Sequence, residues 1–273
     1  MTRRRYASLD WWRLALRGRA RAYTKSVFFR PYVFEDKTVE GEPIPFYIAN
    51  ATGDEWYGRD SDPFNIEMRY VRDKLVRDGM TIFECGGHNG MDTVLLARWA
   101  GSGSVVTFEP LMENVAVIHA NLGLNNVTNV VVEAAAIGST EGRVVMKRAS
   151  SNGSVRPHGG KGTSVKVDTL DGYCARTGRV PDLIKIDVEG YELSVLAGAT
   201  ETLADHPALL IEVHCDSLPK YGEDPDTIWK YVDKDSYDIA IQWNDLAEPV
   251  PYKGETMVGR VHLFCTPRDN HRS

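Results

Sequence analysis

The chain has 273 residues, of which 42% are hydrophobic and 26% are charged, and it contains 24 Gly and 13 Pro. These are the proportions of a globular protein, and they exclude disordered, collagen-like and coiled-coil chains. The net charge of −6 argues against a protein that binds nucleic acid, which would be expected to carry a basic surface.

The first thirty residues form a basic segment with nine Arg or Lys and a single acid, Asp10. Trp11, Trp12 and aliphatic residues lie among the arginines, so the segment is predicted to be an arm that packs on its own domain or on the second subunit of a homodimer. Peripheral contact with an anionic membrane surface is the alternative. Asp10, Arg13 and Arg17 interrupt the apolar run that an export signal needs. Together with four cysteines that form no C-x-x-C pair, this predicts a cytoplasmic protein.

Hydrophobic periodicity then predicts an N-terminal arm and lead-in over residues 1–77 and one α/β domain over 78–273. The lead-in contains a polar, turn-rich segment at 54–62 and ends in a helix at 65–77. The domain is predicted to contain strands at 81–83, 104–108, 127–132, 183–186, 208–214, 237–243 and 258–266, and helices at 93–99, 113–122, 191–203 and 227–232.

The alternation of strands with helices implies a mostly parallel sheet that is covered on both faces. No helical periodicity separates the final two strands, which predicts an antiparallel hairpin at one edge. The segment 148–165 is rich in Gly and Ser, and is expected to be a long surface loop outside the core.

A glycine turn follows the first strand of the predicted sheet in F-E-C-G-G-H-N-G at 83–90. Gly86 and Gly90 allow a ligand to approach the backbone closely, and the following helix offers free N–H groups. Glu84 precedes the turn, and its charge would repel a diphosphate and attract a cationic ligand. The spacing is not the G-x-G-x-x-G pattern of a dinucleotide site.

A second acid, Glu109, ends the next strand, where a carboxylate can accept hydrogen bonds from both hydroxyls of a ribose. A nucleoside ligand that has no diphosphate and carries a positive charge near Glu84 suits the acids at both strand ends. S-adenosylmethionine fits this description.

Two further strand ends carry ionisable side chains. Asp187 and Glu189 follow one strand, although Asp187 is also placed to cap the next helix. Glu212 and His214 end the neighbouring strand and project from the same face, since residues two apart on a strand share a face. A histidine beside three carboxylates is a candidate base or ligand.

The motifs together resemble the FkbM-type S-adenosylmethionine-dependent O-methyltransferases over about half of the chain. Besides the glycine turn, they are V-V-T-F-E-P at 105–110, V-D-T-L-D-G at 167–172, D-L-I-K-I-D-V-E-G-Y-E-L at 182–193 and L-L-I-E-V-H at 209–214. The resemblance implies a class I methyltransferase, Rossmann-like sheet of seven strands with an antiparallel last strand. The predicted cofactor site also includes His88, Asn89 and Ala136, although the strand end E-A-A-A at 133–136 has no Asp of the kind that many methyltransferases place near adenine.

Transfer of a methyl group to an alcohol needs a group that removes or acidifies the hydroxyl proton. We predict that His214 is the base, that Asp187 orients His214 or the acceptor, and that Glu189 belongs to the same catalytic group. The alternative is a Mg²⁺ ion held by Asp187 and Glu212, because carboxylate oxygens suit that ion.

The resemblance suggests a hydroxyl of a sugar or glycan as the acceptor, with exposed aromatic side chains such as Trp56 and Tyr191 for stacking. A polyketide or other secondary-metabolite hydroxyl is the alternative acceptor. A nucleoside-binding module without catalysis and a dehydrogenase are the alternatives from other classes.

Overall fold

A computed structural model of the chain describes residues 28–62, 64–149, 152–155 and 161–268. Most of the predicted basic arm, and with it the predicted membrane or dimer contact, lies outside the described residues. Within those residues, every helix is too short or too polar to cross a bilayer.

The lead-in begins with short paired strands and then forms two capped helices. The side-chain oxygens of Asn50 and Asn65 accept hydrogen bonds from the N–H groups of Gly53 and Met68, which fixes where the two helices begin. The first helix covers part of the segment predicted as a turn, because its Asn50 cap lies upstream of that segment. The elements are β1 (Tyr32–Phe34), β2 (Thr38–Val39), β3 (Glu42–Pro43), β4 (Phe46–Ile48), α1 (Ala51–Tyr57) and α2 (Ile66–Tyr70), with a π-helical continuation of α2 at Val71–Leu75.

The strands after the lead-in form two sheets. In chain order they are β5 (Thr81–Cys85), β6 (Ser104–Phe108), β7 (Val130–Glu133), β8 (Ala136–Ile137), β9 (Gly142–Ala149), β10 (Asn152–Val155), β11 (Thr163–Asp168), β12 (Leu183–Ile186), β13 (Ala208–His214), β14 (Tyr237–Gln242), β15 (Val250–Pro251) and β16 (Arg260–Pro267).

The helices that cover the main sheet follow its strands, as predicted. The predicted helix at 191–203 is two helices, which are separated at Gly198 and Ala199. The helix predicted at 227–232 is a 3-10 helix. These helices are α3 (Met91–Ala100), α4 (Met112–Leu124), α5 (Leu170–Thr177), α6 (Glu192–Ala197) and α7 (Thr200–Ala204), with 3-10 turns at Leu218–Tyr221 and Pro225–Lys230.

Within the described residues, the main sheet has eight strands in the order β15-β14-β16-β13-β12-β5-β6-β7. The run from β13 to β7 is parallel, and β14 and β16 form the predicted antiparallel pair. The expectation of seven strands with the antiparallel strand at the edge needs correction. β16 inserts between β13 and β14, consistent with the almost complete burial of its side chains, and β15 is an additional short strand. The edge position of β15 suits its exposed Pro251.

The second sheet has the order β10-β9-β11-β8, and its strands take up half of the residues 148–165 that were predicted as a loop, namely 148–149, 152–155 and 163–165. β9 pairs with both β10 and β11 in antiparallel register. Met146 and Val165 are buried against Leu111. The prediction of a loop outside the core is therefore wrong for these strands, because the alternating Val and Met residues give them a buried face.

The core of the domain lies on both faces of the main sheet. Phe83 and Cys85 of β5 belong to one buried cluster, whereas Ile82 belongs to the other, as strand alternation requires. Phe46 and Met68 of the lead-in share the second cluster with α3. The lead-in thus packs directly on the sheet that carries the cleft described below.

Candidate active site

A cleft lies at the carboxyl ends of β5, β6, β12 and β13, the position at which open parallel sheets bind ligands. It contains ≈ 800 Å³ of space, some of it open to solvent. Most of the predicted site residues line it, namely Gly86, His88, Glu109, Ala136, Asp187, Glu189 and Glu212. Glu84, Asn89, Gly90 and His214 are not among its lining residues.

The glycine turn after β5 forms the edge of the cleft nearest to β12. Gly86 has φ +98°, and a Cβ at this position would lie 1.9 Å from the backbone oxygen of Asp187. Its N–H donates to the carbonyl of Phe108 over 2.9 Å. The turn therefore ties the ends of three strands together, and this tight packing requires glycine.

Gly90 and Asn89 support the turn from outside the cleft. Gly90, at φ +85°, is the N-cap residue of α3, and its N–H donates to the carbonyl of Gly87 over 2.8 Å. The backbone carbonyl of Asn89, which is buried, accepts a hydrogen bond of 2.8 Å from the Asn121 side chain. The structure thus gives both residues a place in the turn rather than on the cleft wall.

Glu84 is buried on the side of β5 that faces α3, where the Thr93 hydroxyl donates to its carboxylate. Burial raises the pKa of Glu84, and the charge of Lys185, its register partner on β12, opposes that effect. The structure does not bring Glu84 into the cleft. Direct contact between Glu84 and a sulfonium, as expected from the sequence, is therefore not what this arrangement provides.

Glu109 is the best-placed of the predicted cofactor residues. It is only 5% exposed, and its carboxylate accepts hydrogen bonds from the N–H groups of His88 (2.9 Å) and Leu111 (2.8 Å). Burial raises the pKa of Glu109 to about 7, although these hydrogen bonds act in the opposite direction. The carboxylate is thus held rigidly at the cleft wall and titrates near neutrality.

We expect the affinity for S-adenosylhomocysteine to rise by about tenfold between pH 6 and pH 8, because only the ionised Glu109 can accept hydrogen bonds from both ribose hydroxyls. Calorimetric titrations at the two pH values measure this change. In Glu109→Gln the affinity should be lower and independent of pH over this range. An unchanged pH dependence in the variant would assign the effect to another group.

His88 lies beside Glu109 and is neutral. Its Nδ1 is 2.8 Å from the hydroxyl of Tyr57 on α1, and burial lowers the pKa of His88 to about 4. A neutral ring at this point adds no positive charge that would repel a sulfonium. The hydrogen bond also connects the lead-in to the glycine turn.

An apolar wall lies around Ala136 at the other end of the cleft. It is formed by Leu111, Ile137 and Met146, and Val155 of β10 also lines the cleft. The Tyr221 hydroxyl holds β10 in place by donating to the carbonyl of Val155 over 2.9 Å. The strand end that carries Ala136 has no Asp for adenine, and the structure provides a slot of apolar side chains that suits a flat aromatic ring.

Asp187, Glu189 and Glu212 meet at the cleft floor, as the sequence predicted. Glu189 adopts φ +56° directly after Asp187 and Val188. Asp187 lies 3.6 Å from Lys185 Nζ, and burial and the charge of Glu212 raise the pKa of Asp187, with Lys185 opposing them. The N-cap of α6 is Tyr191, so Asp187 does not cap that helix.

His214 lies next to these acids but is held by a different carboxylate from the one expected. Its Nδ1 is 2.8 Å from Glu192 Oε1, and its Nε2 is 3.4 Å from Glu212 Oε1 and 3.6 Å from Glu189 Oε2. Burial alone would lower the pKa of His214, but its hydrogen bond with Glu192 and the surrounding carboxylates raise it to about 9. At neutral pH the ring is therefore protonated, which does not suit the predicted role of general base.

Sequence reasoning missed the cations that balance the acids. Arg260 and His262 on β16 lie 3.3 Å from the two oxygens of Glu212. Burial would raise the pKa of Glu212, but these two cations and His214 hold it below its usual value. Two signals were available in the sequence. Arg260 and His262 are polar residues at alternate positions of an otherwise apolar final strand, and Lys185 is a lysine inside the apolar strand β12.

The predicted Mg²⁺ site was tested against this geometry. Ligand atoms of Asp187, Glu212 and His214 all lie within 4.8 Å of one another, close enough for one ion. Lys185 accompanies Asp187, and Arg260, His214 and His262 lie beside Glu212. The same basic side chains also face other acids, because Lys185 Nζ lies 3.2 Å from Asp92 and His262 Nε2 lies 3.3 Å from Glu67. The Mg²⁺ alternative therefore stays a prediction, and no step below depends on a metal.

The comparisons with known proteins agree with the motifs. Residues 84–239, more than half of the chain, match the model of the methyltransferase FkbM domain. No curated protein sequence matches the chain closely enough to count as a relative.

Solved structures similar to this chain include M. jannaschii TYW2 in complex with AdoMet (15% identity, 86% of this chain and 84% of that chain, TM-score 0.49). They also include a SAM-dependent O-methyltransferase from Thermotoga maritima (13%, 87% and 78%, TM-score 0.46) and an rRNA methylase from Streptococcus thermophilus (10%, 77% and 99%, TM-score 0.45). The family match carries the assignment: this chain belongs to the FkbM family of methyltransferases, and its cofactor is S-adenosylmethionine.

Proposed function

We propose that the chain transfers the methyl group of S-adenosylmethionine to a hydroxyl of a sugar or glycan. The observation that carries this proposal is the division of one cleft into two chemically different ends. Glu109 and the apolar wall around Ala136 suit a nucleoside, whereas the acids at the floor suit a hydroxylated acceptor.

Aromatic side chains that line the cleft support a sugar. Trp56 lines the cleft and is 46% exposed, so one face of its indole is available for stacking. Tyr191 lines the cleft near Glu189 and packs against Tyr221 with ring centroids 5.6 Å apart. An apolar ring face beside carboxylates that accept hydroxyl protons matches the two kinds of surface that a sugar presents.

The chain's own residues can handle the proton of the acceptor hydroxyl. Asp187, unlike His214, lines the cleft, and its pKa of about 8 lies closer to neutrality than that of His214, so that its ionised form is a stronger proton acceptor than an ordinary carboxylate. The protonated His214 stands close by and stabilises negative charge on the floor. We therefore assign to Asp187 the role of base that the sequence gave to His214, and the bound cofactor would supply the methyl group for in-line displacement by the acceptor oxygen.

The proposal is tested by incubating the protein with methyl-labelled S-adenosylmethionine and panels of neutral glycans, uronic-acid glycans and polyketide alcohols. We expect mass spectrometry to show the gain of one methyl group on a glycan, and no gain with Asp187→Asn. Transfer confined to a polyketide alcohol would overturn the choice of acceptor. Cofactor binding without transfer to any acceptor would favour a binding module.

Methyl transfer is expected to survive exhaustive treatment with EDTA, with less than about a twofold change in rate, because the proposed base is Asp187 itself and Lys185 and Arg260 lie beside the acids at the floor. The rate is measured before and after chelation with the same acceptor. Loss of activity that Mg²⁺ restores would contradict this prediction and would favour the Mg²⁺ alternative.

A further inference from the structure

Glu192 is a fully buried acid that neither the sequence prediction nor the proposed reaction uses. It is the first residue of α6, and its side chain has 0% exposure. Carboxylates are almost never fully buried unless they are paired, because removing their charge from water is costly. The side chain must therefore gain enough from specific partners to remain buried.

Both partners of Glu192 use the same oxygen. Oε1 accepts a hydrogen bond of 2.7 Å from the N–H of Gly190 and lies 2.8 Å from Nδ1 of His214. Because Oε1 already accepts the N–H of Gly190, it is the acceptor of this pair, and Nδ1 of His214 carries a proton and donates it. The other ring nitrogen, Nε2, is consequently directed toward Glu212 and Glu189 on the cleft floor.

The hydrogen bond from Gly190 allows Glu192 to position a second part of the site, the turn after β12. Glu189 and Gly190 follow β12 in the left-handed region, at φ +56° and φ +99°. The hydrogen bond from Gly190 N–H holds this turn, and the turn in turn places Glu189 at the cleft. The Glu192 carboxylate thus fixes the position of Gly190 after β12 and of His214 at the end of β13.

We propose that Glu192 is a positioning residue, which holds the His214 ring and the Glu189–Gly190 turn in register so that Nε2 of His214 faces the acids of the cleft floor. The proposal rests on the proposed function for its catalytic consequence, since His214 has a role only if the floor handles a proton. The local geometry can be measured without any acceptor.

The variant Glu192→Gln tests the proposal, because it keeps the shape of the side chain and one acceptor oxygen while it removes the charge. Glu201→Gln is the matched control, since Glu201 is exposed on α7. The first readout is the ¹⁵N–¹H signal of the His214 Nδ1 proton in the full chain with labelled histidine, identified by its loss in His214→Gln. The second readout is kcat and KM for methyl transfer, together with the affinity for S-adenosylhomocysteine.

In the wild type and in Glu201→Gln we expect a Nδ1 proton that exchanges slowly with water. In Glu192→Gln the exchange should be at least about tenfold faster, and kcat should fall by about tenfold to a hundredfold with little change in cofactor affinity, the range found for carboxylates that orient a functional histidine. Absence of a slowly exchanging Nδ1 proton in the wild type would overturn the proposal even if the variant failed to fold. An unchanged signal and kcat in Glu192→Gln would also overturn it, whereas an inactive wild type with the expected signals would count against the proposed function alone.

Discussion

Replacement of Gly86 by alanine is expected to lower the free energy of unfolding by about 2–4 kcal/mol and to abolish measurable binding of S-adenosylhomocysteine. The new Cβ would lie 1.9 Å from the backbone oxygen of Asp187, a contact that only a backbone shift can relieve. The φ of +98° adds strain for any residue other than glycine. Since the turn joins the ends of β5, β6 and β12, such a shift would also displace Asp187. Chemical denaturation and calorimetry measure the two effects.

Gly123→Ala is the matched control for this substitution. Gly123 lies in α4, and nothing lies within 4 Å of a Cβ built there. The same added methyl group should leave stability unchanged or raise it by up to about 1 kcal/mol, because alanine favours a helix over glycine. If Gly86→Ala unfolded like the wild type and still bound the cofactor product, the close contact with Asp187 would not define the site.

Asp187→Asn should lower kcat for methyl transfer by on the order of 10²–10⁴-fold and leave the affinity for S-adenosylhomocysteine nearly unchanged. The amide keeps the size of the side chain but cannot accept the hydroxyl proton as a base. Asp187 is at the cleft floor beside Lys185, whereas Glu109 and His88 line the wall assigned to the nucleoside. Single-turnover rates with a saturating acceptor measure the chemical step.

The exposed acid Asp238 on β14 provides the control, because its side chain is 76% exposed and it pairs with Arg268 away from the cleft. Asp238→Asn should transfer methyl groups at the wild-type rate. A normal rate in Asp187→Asn would remove Asp187 as the base. If His214→Gln then lost the activity, the original assignment of the base to His214 would be restored.

The sequence predicted those features that depend on short stretches of chain. The order of strands and helices, the glycine turn and the acids at strand ends follow from local periodicity and from the rule that parallel strands end at one edge. The same rule correctly placed Glu109 and Asp187 on one cleft. Glu84 was also expected in the cleft, but its side chain lies on the face of β5 that packs on α3 and is buried there.

The properties that depend on distant residues could not be predicted. His214 was expected to be a base, but its charge is set by Glu192, which lies 22 residues earlier in the chain and was considered only as part of a motif. The strand β10 and the start of β11 were expected to be loop, because the Gly and Ser residues of the segment 148–165 hid its strand-forming residues. The position of β16 inside the sheet depends on the strands with which it pairs, and short-range sequence patterns do not contain that information.

The position of β16 affects how the protein must assemble. Glu212 receives two of its cationic neighbours, Arg260 and His262, from a strand that is synthesised after all the other described strands. These contacts can form only after the chain between β13 and β16 has closed into a loop. Until β16 pairs with β13, Glu212 lacks these partners, so the cleft floor is complete only when the end of the described chain has joined the sheet.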